Sequence, residues 1–167
     1  MITSKEVDEQ PFPDEDPSAL ALRLARSKAE AVLEASGGDL PVLAADTVVA
    51  VGGELLAKPA DAGENARFLE RLSGVEHQVI TGHALHAAGK WASEAPVTTL
   101  RFRELSRADV AWYSASGEGL DKAGGYGLQG LGAALIEHIE GDHTNVIGLS
   151  VPAVLRLFSS LGVARDG

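Results

Sequence analysis

The stretch Pro41-Val42-Leu43-Ala44-Ala45-Asp46-Thr47-Val48-Val49-Ala50-Val51 decides the fold of this chain. It is short, apolar and rich in β-branched residues, and Pro41 and Gly52-Gly53 bound it. These features predict a buried central strand of a sheet. The two glycines also predict a tight hairpin turn into a second strand that begins at Glu54.

Helices and strands alternate along the rest of the chain, which indicates an α/β fold. Helices are predicted where capping residues and amphipathic runs coincide, at 18–35, 62–72, 106–117 and 150–161. Strands are predicted at 78–87, 96–103 and 135–139, and the 78–103 region adds antiparallel character. We find no repeat and no long linker, so we expect one domain over 1–167, with the proline-containing residues 1–17 as a loop or edge.

Composition excludes several classes of protein. The chain has 14 Lys and Arg against 24 Asp and Glu, a formal charge of −10. That balance argues against binding of a nucleic acid polymer, which needs clustered cations, but it does not exclude a single nucleotide. The absence of cysteine excludes disulfides and thiol catalysis. No apolar run approaches the roughly 18 residues of a membrane span and no signal peptide is evident, so we expect a cytoplasmic protein that does not enter a membrane.

Asp46 interrupts an otherwise apolar strand, where a carboxylate is costly unless it is paired or bound to metal. It is a candidate base or metal ligand at a strand end. The alternative is a structural one, in which the strand simply ends at Ala45. The local sequence leaves both open, because perturbed carboxylates favour functional sites but are not confined to them.

Two lysines are candidates for phosphate contacts. Lys28 is four residues from both Leu24 and Val32, so helical geometry places it within an apolar stripe. Its ammonium either points into a cleft or reaches water while the stem lies along the core. Lys58 precedes Pro59, which fixes its backbone in an extended direction. That suits a phosphate contact, although an ordinary loop lysine fits as well.

The stretch 117–132 contains seven glycines and is predicted to be a loop with unusual backbone requirements. Within it, Lys122 and Gln129 accompany backbone N–H groups that could approach an anion closely. The stretch lacks the spacing of a Walker loop or of a dinucleotide fingerprint, and a mobile surface loop is the alternative. The histidines are dispersed without a zinc pattern, and no Gly-x-Ser-x-Gly supports a Ser-His-Asp triad, so we expect structural or surface roles for them.

Taken in order, these segments resemble the Maf family of nucleoside triphosphate pyrophosphatases. Each segment alone is weak, whereas the ordered series is specific. The series runs from near residue 8 to near residue 157: Asp8-Glu9, Arg23-Leu24-Ala25, Lys28-Ala29, Ala45-Asp46-Thr47-Val48-Val49, Lys58-Pro59, Leu72-Ser73-Gly74, His77, Val79, Thr81-Gly82, Gly117-Glu118, Asp121-Lys122-Ala123-Gly124, Tyr126-Gly127, Leu128-Gln129-Gly130, Gly141 and Asn145-Val146-Ile147-Gly148-Leu149.

The resemblance implies an activity and a set of site residues. The family cleaves nucleoside triphosphates between the α and β phosphates with a divalent cation, Mg²⁺ or Mn²⁺, and releases a monophosphate and pyrophosphate. By position, Asp46 matches its proton acceptor, and the lysines that match its phosphate contacts are Lys28, Lys58 and, with them, Lys122. Thr47 and Gln129 match positions tied to base preference, in the form of the dTTP/UTP-selective subgroup. The metal ligands are not identified, although Glu9 and Glu118 are candidate metal or water partners.

The resemblance also implies an architecture, a mixed twisted sheet of the Maf/inosine-triphosphatase type, flanked by helices, with a cleft between two lobes. Its members begin with an apolar strand that leads into a Ser-x-Ser-Pro-Arg-Arg loop and a helix, and nothing here matches that segment. We therefore expect the first strand and helix to be absent, so that either the true start lies upstream or the chain is a truncated paralogue with impaired catalysis. The alternative to an enzyme is a nucleotide-binding regulatory protein linked to arrest of cell division. The sequence is also compatible with a homodimer.

Overall fold

The structure, a computed structural model, describes residues 7–37 and 40–163, so residues 1–6 and the second glycine of the expected helix stop at Gly37-Gly38 lie outside it. The helices are α1 Pro17–Ser36, α2 Ala62–Leu72, α3 Arg107–Ser116, α4 His143–Val146 and α5 Val151–Ser160. The strands are β1 Val42–Val51, β2 Glu54–Leu56, β3 Glu76–Ala87, β4 Lys90–Glu94, β5 Val97–Phe102 and β6 Ile136–Glu140. Residues 7–16 form neither a helix nor a strand. No helix in the described ranges is long and apolar enough to cross a membrane.

The strands form one sheet in the order β2-β1-β3-β5-β6, with β4 also paired to β3. The α/β class expected from the sequence is confirmed. Every strand pairing among the described residues is antiparallel. The antiparallel pairing expected for the 78–103 region therefore extends across the sheet, whereas the resemblance implied a sheet of mixed strand directions. The long strand β3 pairs with β1 along one edge and with β4 and then β5 along the other.

The sequence did not predict β4. Its residues, Lys90 to Glu94, include no β-branched side chain, so the usual compositional signal is missing. The strand forms because Ala88 and Gly89 both adopt positive φ, 49° and 73°, which is the backbone of a tight hairpin turn. The turn returns the chain along β3.

The helix caps expected from the sequence at Asp61, Ser106 and Ser150 are confirmed, and Asp16 caps α1 in addition. In each helix a side chain before the first turn accepts backbone N–H groups that have no partner within the helix. Ser106 and Asp109 form a reciprocal capping box at α3. The capping side chains of the other long helices are Asp16 for α1, Asp61 for α2 and Ser150 for α5.

Strand β1 has a free edge next to Asp46. It pairs with β3 from Val42 to Ala50, but with β2 only over residues 49–51. Within the described residues, the other edge of 42–48 therefore has no strand partner. Asp46 lies in the middle of this ten-residue strand. Both expectations of a strand end near Asp46 were wrong, because the backbone pairing with β3 continues through it.

Helix α1 packs very closely on one face of the sheet. Three alanines four residues apart, Ala21, Ala25 and Ala29, are fully buried on it. A Cβ at Gly82 of β3 would lie 2.2 Å from the backbone of Ala21, so only glycine allows this approach. Gly82 is the cross-strand partner of Asp46. The contact therefore sets the distance between α1 and the carboxylate.

The opposite face of the sheet carries the larger apolar core. It contains fully buried side chains from α2, α3 and the sheet, and the glycine-rich stretch covers it. The central members of this cluster are Leu69, Leu72, Val79, Leu100, Phe102, Tyr113, Tyr126 and Leu135. Tyr126 thus anchors the glycine-rich stretch on a core, and Leu135, just beyond the stretch, lies in the same core. This anchoring argues against the mobile loop considered as the alternative.

Candidate active site

Asp46 and Thr47 lie on opposite faces of β1, because successive side chains of a strand alternate. Asp46 faces α1 and lies opposite Gly82. Thr47 faces the other side, opposite Thr81. The two residues that the resemblance assigns to catalysis and to base preference are therefore neighbours in sequence but separated by the sheet.

On the α1 face, Lys28 joins two carboxylates. Its Nζ donates to Glu9 Oε1 at 2.8 Å and also to Asp46 Oδ1. The Asp46 side chain is 11% exposed and that of Lys28 is 25% exposed. The ammonium of Lys28 therefore points at Asp46 and Glu9, and neither of the two orientations considered for it describes this position fully.

The three groups shift one another's pKa values. Burial raises the pKa of Asp46, even though its hydrogen bond with Lys28 opposes the shift. For Lys28 burial acts to lower the pKa, but the hydrogen bonds to Asp46 and Glu9 outweigh it and the pKa is raised. The hydrogen bond from Lys28 lowers the pKa of Glu9. Asp46 is thus a stronger base than an ordinary aspartate, next to a lysine that stays charged.

The segment 7–16 positions Glu9 and is itself fastened to α1. Arg23 of α1 donates to both oxygens of Glu15, at 2.7 and 2.8 Å, and to the carbonyl of Gln10 at 3.0 Å. Lys58 approaches Glu9 from the other side, with its Nζ 3.7 Å from Oε2 and 55% of its side chain exposed. The backbone before Pro59 thus directs Lys58 toward the same carboxylate that Lys28 binds.

A cavity of about 490 Å³ lies on this face, and we call it the α1-side cavity. Residues 7–11, α1 and the hairpin after β1 enclose it. Its wall includes Glu9, Asp46 and Lys58. Lys28 does not line this cavity, nor the second cavity described below on the opposite face of the sheet. Its influence on a ligand therefore passes through Asp46 and Glu9.

A second cavity, of about 270 Å³, lies on the Thr47 face, and we call it the loop-side cavity. Its wall brings together strand residues, the glycine-rich stretch and the turn after α4: Ala45, Asp46, Thr47, Val49, Lys58, Val79, Asp121, Lys122, Ala123, Tyr126, Gly127, Leu128, Gln129, Val146, Ile147 and Gly148. The two cavities share four residues, namely Asp46, Thr47, Lys58 and Ala123. They therefore meet at the free edge of β1.

Lys122 and Gln129 both reach the loop-side cavity, as predicted site residues. Lys122 Nζ donates to the carbonyl of Glu118 at 3.0 Å and to Asp121 Oδ1 at 2.6 Å, so part of its charge is already balanced. Gln129 is exposed at the cavity wall. The structure thus brings together five of the six predicted residues at the two cavities, with Lys28 directly behind Asp46.

Glu118 does not fit the expected role of a metal or water partner. Its carboxylate accepts the backbone N–H groups of Leu131 at 2.8 Å and Gly132 at 2.9 Å, and the hydroxyl of Tyr113 at 3.1 Å. Both oxygens are therefore used inside the loop. Glu118 holds the turn that follows Gln129.

The loop-side cavity is supported from below by His77, for which the sequence indicated a structural or surface role, and by Asn65, which the sequence did not indicate. His77 lies within 2.6 Å of the Tyr126 hydroxyl through its Nε2, and Asn65 of α2 donates to the carbonyl of Gly125 at 2.6 Å. Burial lowers the pKa of His77 to about 4, so its ring is neutral near pH 7. No local pattern marks Asn65, because its partner is 60 residues away, and the resemblance that includes His77 does not give its partner, which is 49 residues away.

Proteins of known name match most of this chain. The model of the family described as Maf-like protein matches residues 1–161. The dTTP/UTP pyrophosphatase of Deinococcus radiodurans is 52% identical over 152 residues, which cover 91% of this chain and 77% of that protein. The dTTP/UTP pyrophosphatase of Pyrococcus furiosus is 40% identical over 157 residues, 94% of this chain and 82% of its own length. An Escherichia coli O157:H7 protein of the same name is 43% identical over 160 residues, 96% of this chain and 81% of its own. This chain belongs to the Maf-like protein family.

Proposed function

We propose that this chain hydrolyses nucleoside triphosphates, above all dTTP and UTP, to the monophosphate and pyrophosphate. One observation carries the proposal: a half-buried cluster of Asp46, Lys28 and Glu9 lies at the free edge of β1, where two cavities meet. The names of the relatives, dTTP/UTP pyrophosphatases, support the substrate class.

The nucleotide crosses the edge of β1. Its triphosphate lies on the α1 side, where Lys58 faces the cavity and Lys28 supports Asp46. Its base enters the loop-side cavity, where Thr47 and Gln129 supply hydrogen-bonding groups. The shared wall between the cavities allows one ligand to contact both sets of residues.

In the chemical step, Asp46 accepts a proton from the attacking water. The water oxygen bonds to the α-phosphorus as the bond between that phosphorus and the α–β bridging oxygen breaks, and pyrophosphate leaves with the bridging oxygen. Phosphoryl transfer depends mainly on positioning and on neutralising charge, which Lys58 provides from the wall that the two cavities share and Lys122 from the loop-side cavity. Lys28 holds the Asp46 carboxylate in one orientation throughout the step. Because burial raises the pKa of Asp46, it accepts the proton more readily than an exposed aspartate would.

A divalent cation fits this site in part. Asp46 and Glu9 both line the α1-side cavity, and carboxylates together with substrate phosphates are a usual environment for Mg²⁺. In the described part of the chain, no group of three or more His, Cys, Asp or Glu side chains could hold a metal alone. Glu9 and Asp46 would therefore hold the ion together with the substrate. When bound, it would supply further charge neutralisation at the phosphates.

The test is to incubate the purified chain with UTP, dTTP and other nucleoside triphosphates, with Mg²⁺ or Mn²⁺, and to identify the products. We expect monophosphate and pyrophosphate, with dTTP and UTP preferred. Release of orthophosphate would contradict the assignment. Tight nucleotide binding without turnover would instead favour the regulatory alternative.

A further inference from the structure

The hydroxyl of Thr47 belongs to a short chain of hydrogen bonds that ends in the protein interior. Thr47 Oγ1 lies 2.9 Å from Oγ1 of Thr81, its cross-strand partner. Thr81 is fully buried, and its Oγ1 lies 2.7 Å from the carbonyl oxygen of Asn145. The three groups therefore form a relay from the cavity wall to the turn at α4.

The relay has a fixed direction. Two oxygens at 2.7 Å need a hydrogen between them, and a carbonyl has none to give, so Thr81 donates to Asn145. A threonine hydroxyl has one hydrogen. The hydrogen in the 2.9 Å contact must therefore come from Thr47. Toward the cavity, Thr47 retains lone pairs alone and acts as an acceptor.

Asn145 is held so that the relay cannot reverse easily. It is fully buried, and its Nδ2 donates to the carbonyl of Val79 at 2.9 Å and to Oγ1 of Thr98 at 3.1 Å. Its carbonyl also accepts the N–H of Gly148 at 3.0 Å. This carbonyl is thus fixed above Thr81 by hydrogen bonds within the protein.

The Thr47 hydroxyl can be approached from the cavity because residue 148 has no side chain. A Cβ on Gly148 would lie 3.4 Å from Thr47 Oγ1, and its φ of +106° disfavours any other residue. Both residues line the loop-side cavity. The acceptor therefore faces the space in which the base is proposed to lie.

We propose that Thr81 is a specificity-determining residue, which holds Thr47 as an acceptor so that the loop-side cavity selects a pyrimidine with a ring N–H over one without it. Uracil and thymine carry a hydrogen on N3, whereas N3 of cytosine is an acceptor and would oppose the lone pairs of Thr47. The inference rests on the proposed function, since it assumes that the base occupies this cavity. Guanine also has a ring N–H, so UTP and CTP, which have similar size, isolate the effect.

The experiment compares the wild-type chain with Thr81→Val, Thr81→Ser and Thr99→Val. Valine at 81 removes the acceptor for the Thr47 hydrogen, which can then rotate toward the cavity and donate to cytosine N3. Serine at 81 retains the relay. Thr99 lies on β5 outside both cavities and provides the matched control. For each protein, kcat/KM and the equilibrium Kd are measured for UTP and CTP, and thermal melting verifies folding.

We expect the preference for UTP over CTP to fall about tenfold in Thr81→Val, the usual scale for one hydrogen bond and an opposed polar group. Thr81→Ser and Thr99→Val should remain within about twofold of the wild type. An unchanged preference in a folded Thr81→Val would overturn the proposal, as would an equal loss in Thr81→Ser, which would assign the effect to packing. If Thr81→Val does not fold, Thr81→Ala removes the hydroxyl without placing a methyl group against the carbonyl.

The binding measurement separates this proposal from the proposed function. A wild-type chain that binds UTP more tightly than CTP but releases no pyrophosphate would refute the activity. The ratio of the Kd for CTP to the Kd for UTP, compared among the variants, would still test the relay. A wild-type chain that binds both nucleotides equally would overturn the relay, whichever products appear.

Discussion

The two faces of β1 differ in what surrounds them, although their key residues are adjacent in sequence. On the α1 face, Asp46 is bound to a charged lysine, and Glu9 on the same lysine is 46% exposed. On the other face, Thr47 leads into neutral groups that are fully buried, Thr81 and Asn145. The ion pair of Asp46 and Lys28 therefore lies where phosphates would lie, and a fixed hydrogen-bond direction lies where a base would lie. The alternation of side chains along one strand would thus separate bond breaking from base selection.

The two faces are also built differently. A single helix, packed against Gly82 through small residues, forms the Asp46 face. The Thr47 face depends on a long glycine-rich stretch held at several points, among them Asn65, His77 and Glu118. Substitutions on the first face should therefore change turnover, and substitutions on the second should change selectivity or the stability of the loop.

The largest expected effect is that of Asp46→Asn. The amide keeps the shape but cannot accept the proton, so kcat should fall by about 10² or more. The UTP/CTP preference should not change, because Thr47 is unaffected. Folding should be unchanged or improved, since the raised pKa of Asp46 means that its ionised form is disfavoured in the fold.

Steady-state kinetics and melting of Asp46→Asn provide the measurement. Asp61→Asn is the matched control, because asparagine also caps a helix. Near-normal turnover in Asp46→Asn would give Asp46 a structural role. A changed base preference would break the separation between the faces.

Gly82→Ala should damage the Asp46 face selectively. Its methyl group would meet the backbone of Ala21, which must move away and carry Lys28 with it. We expect the free energy of unfolding to fall by about 3 kcal/mol, the upper part of the range for overpacking, with a loss of kcat at constant base preference. Urea denaturation measures the first and kinetics the second. Gly63→Ala is the control, since a Cβ there meets side chains alone, and equal effects of both substitutions would refute the account of α1.

His77 should make the Thr47 face sensitive to acid. Burial lowers its pKa from 6.5 to about 4. In the unfolded chain His77 is protonated below about pH 6.5, whereas in the folded chain it is protonated only below about pH 4. The free energy of unfolding therefore falls as the pH falls through this window. The expected loss between pH 7 and pH 5 is about 2 kcal/mol. Urea denaturation at both pH values should find a smaller loss in His77→Gln, and an equal loss in both proteins would contradict the prediction.

The smallest expected effect is a shift of the acid limb of activity. Asp46 must be ionised to accept a proton, and burial raises its pKa above the ordinary 3.8. Activity should therefore be lost as the pH falls through a value higher than that of an exposed aspartate. The pH profile of kcat/KM for UTP measures this value. An apparent pKa at or below 3.8 for the loss of activity would mean that Lys28 lowers the pKa of Asp46 more than burial raises it.

Sequence patterns predicted the elements that local chemistry determines. The side chains of Asp61 and Ser106 accept backbone N–H groups a few residues away, and the apolar run around Asp46 is local as well. The helix starts and the strand predicted from them were therefore confirmed. Strand β4 escaped prediction because its pairing comes from a turn rather than from strand-forming residues. The apolar run 41–51 placed Asp46 within a strand, and the pairing of β1 with β3 on both sides of Asp46 excludes the strand end that was considered there.

The site was harder to predict because its contacts join distant positions. The family resemblance supplied Asp46, Thr47 and the lysines, but the bond between Lys28 and Asp46 depends on a helix lying against Gly82. The Thr47–Thr81 contact joins residues 34 apart, and its direction follows from a carbonyl still further along the chain. Hydrogen-bond direction of this kind is a property of the folded protein and leaves no local pattern in the sequence.

The most direct test of the central claim is a crystal structure of the Asp46→Asn variant with UTP and Mg²⁺. Slow turnover in this variant should keep the nucleotide intact. We expect the uracil in the loop-side cavity, with its N3–H donating to Thr47 Oγ1, and the triphosphate across the free edge of β1 beside residue 46 and Lys58. A nucleotide held entirely within one cavity, with its base away from Thr47, would contradict the division of labour between the two faces.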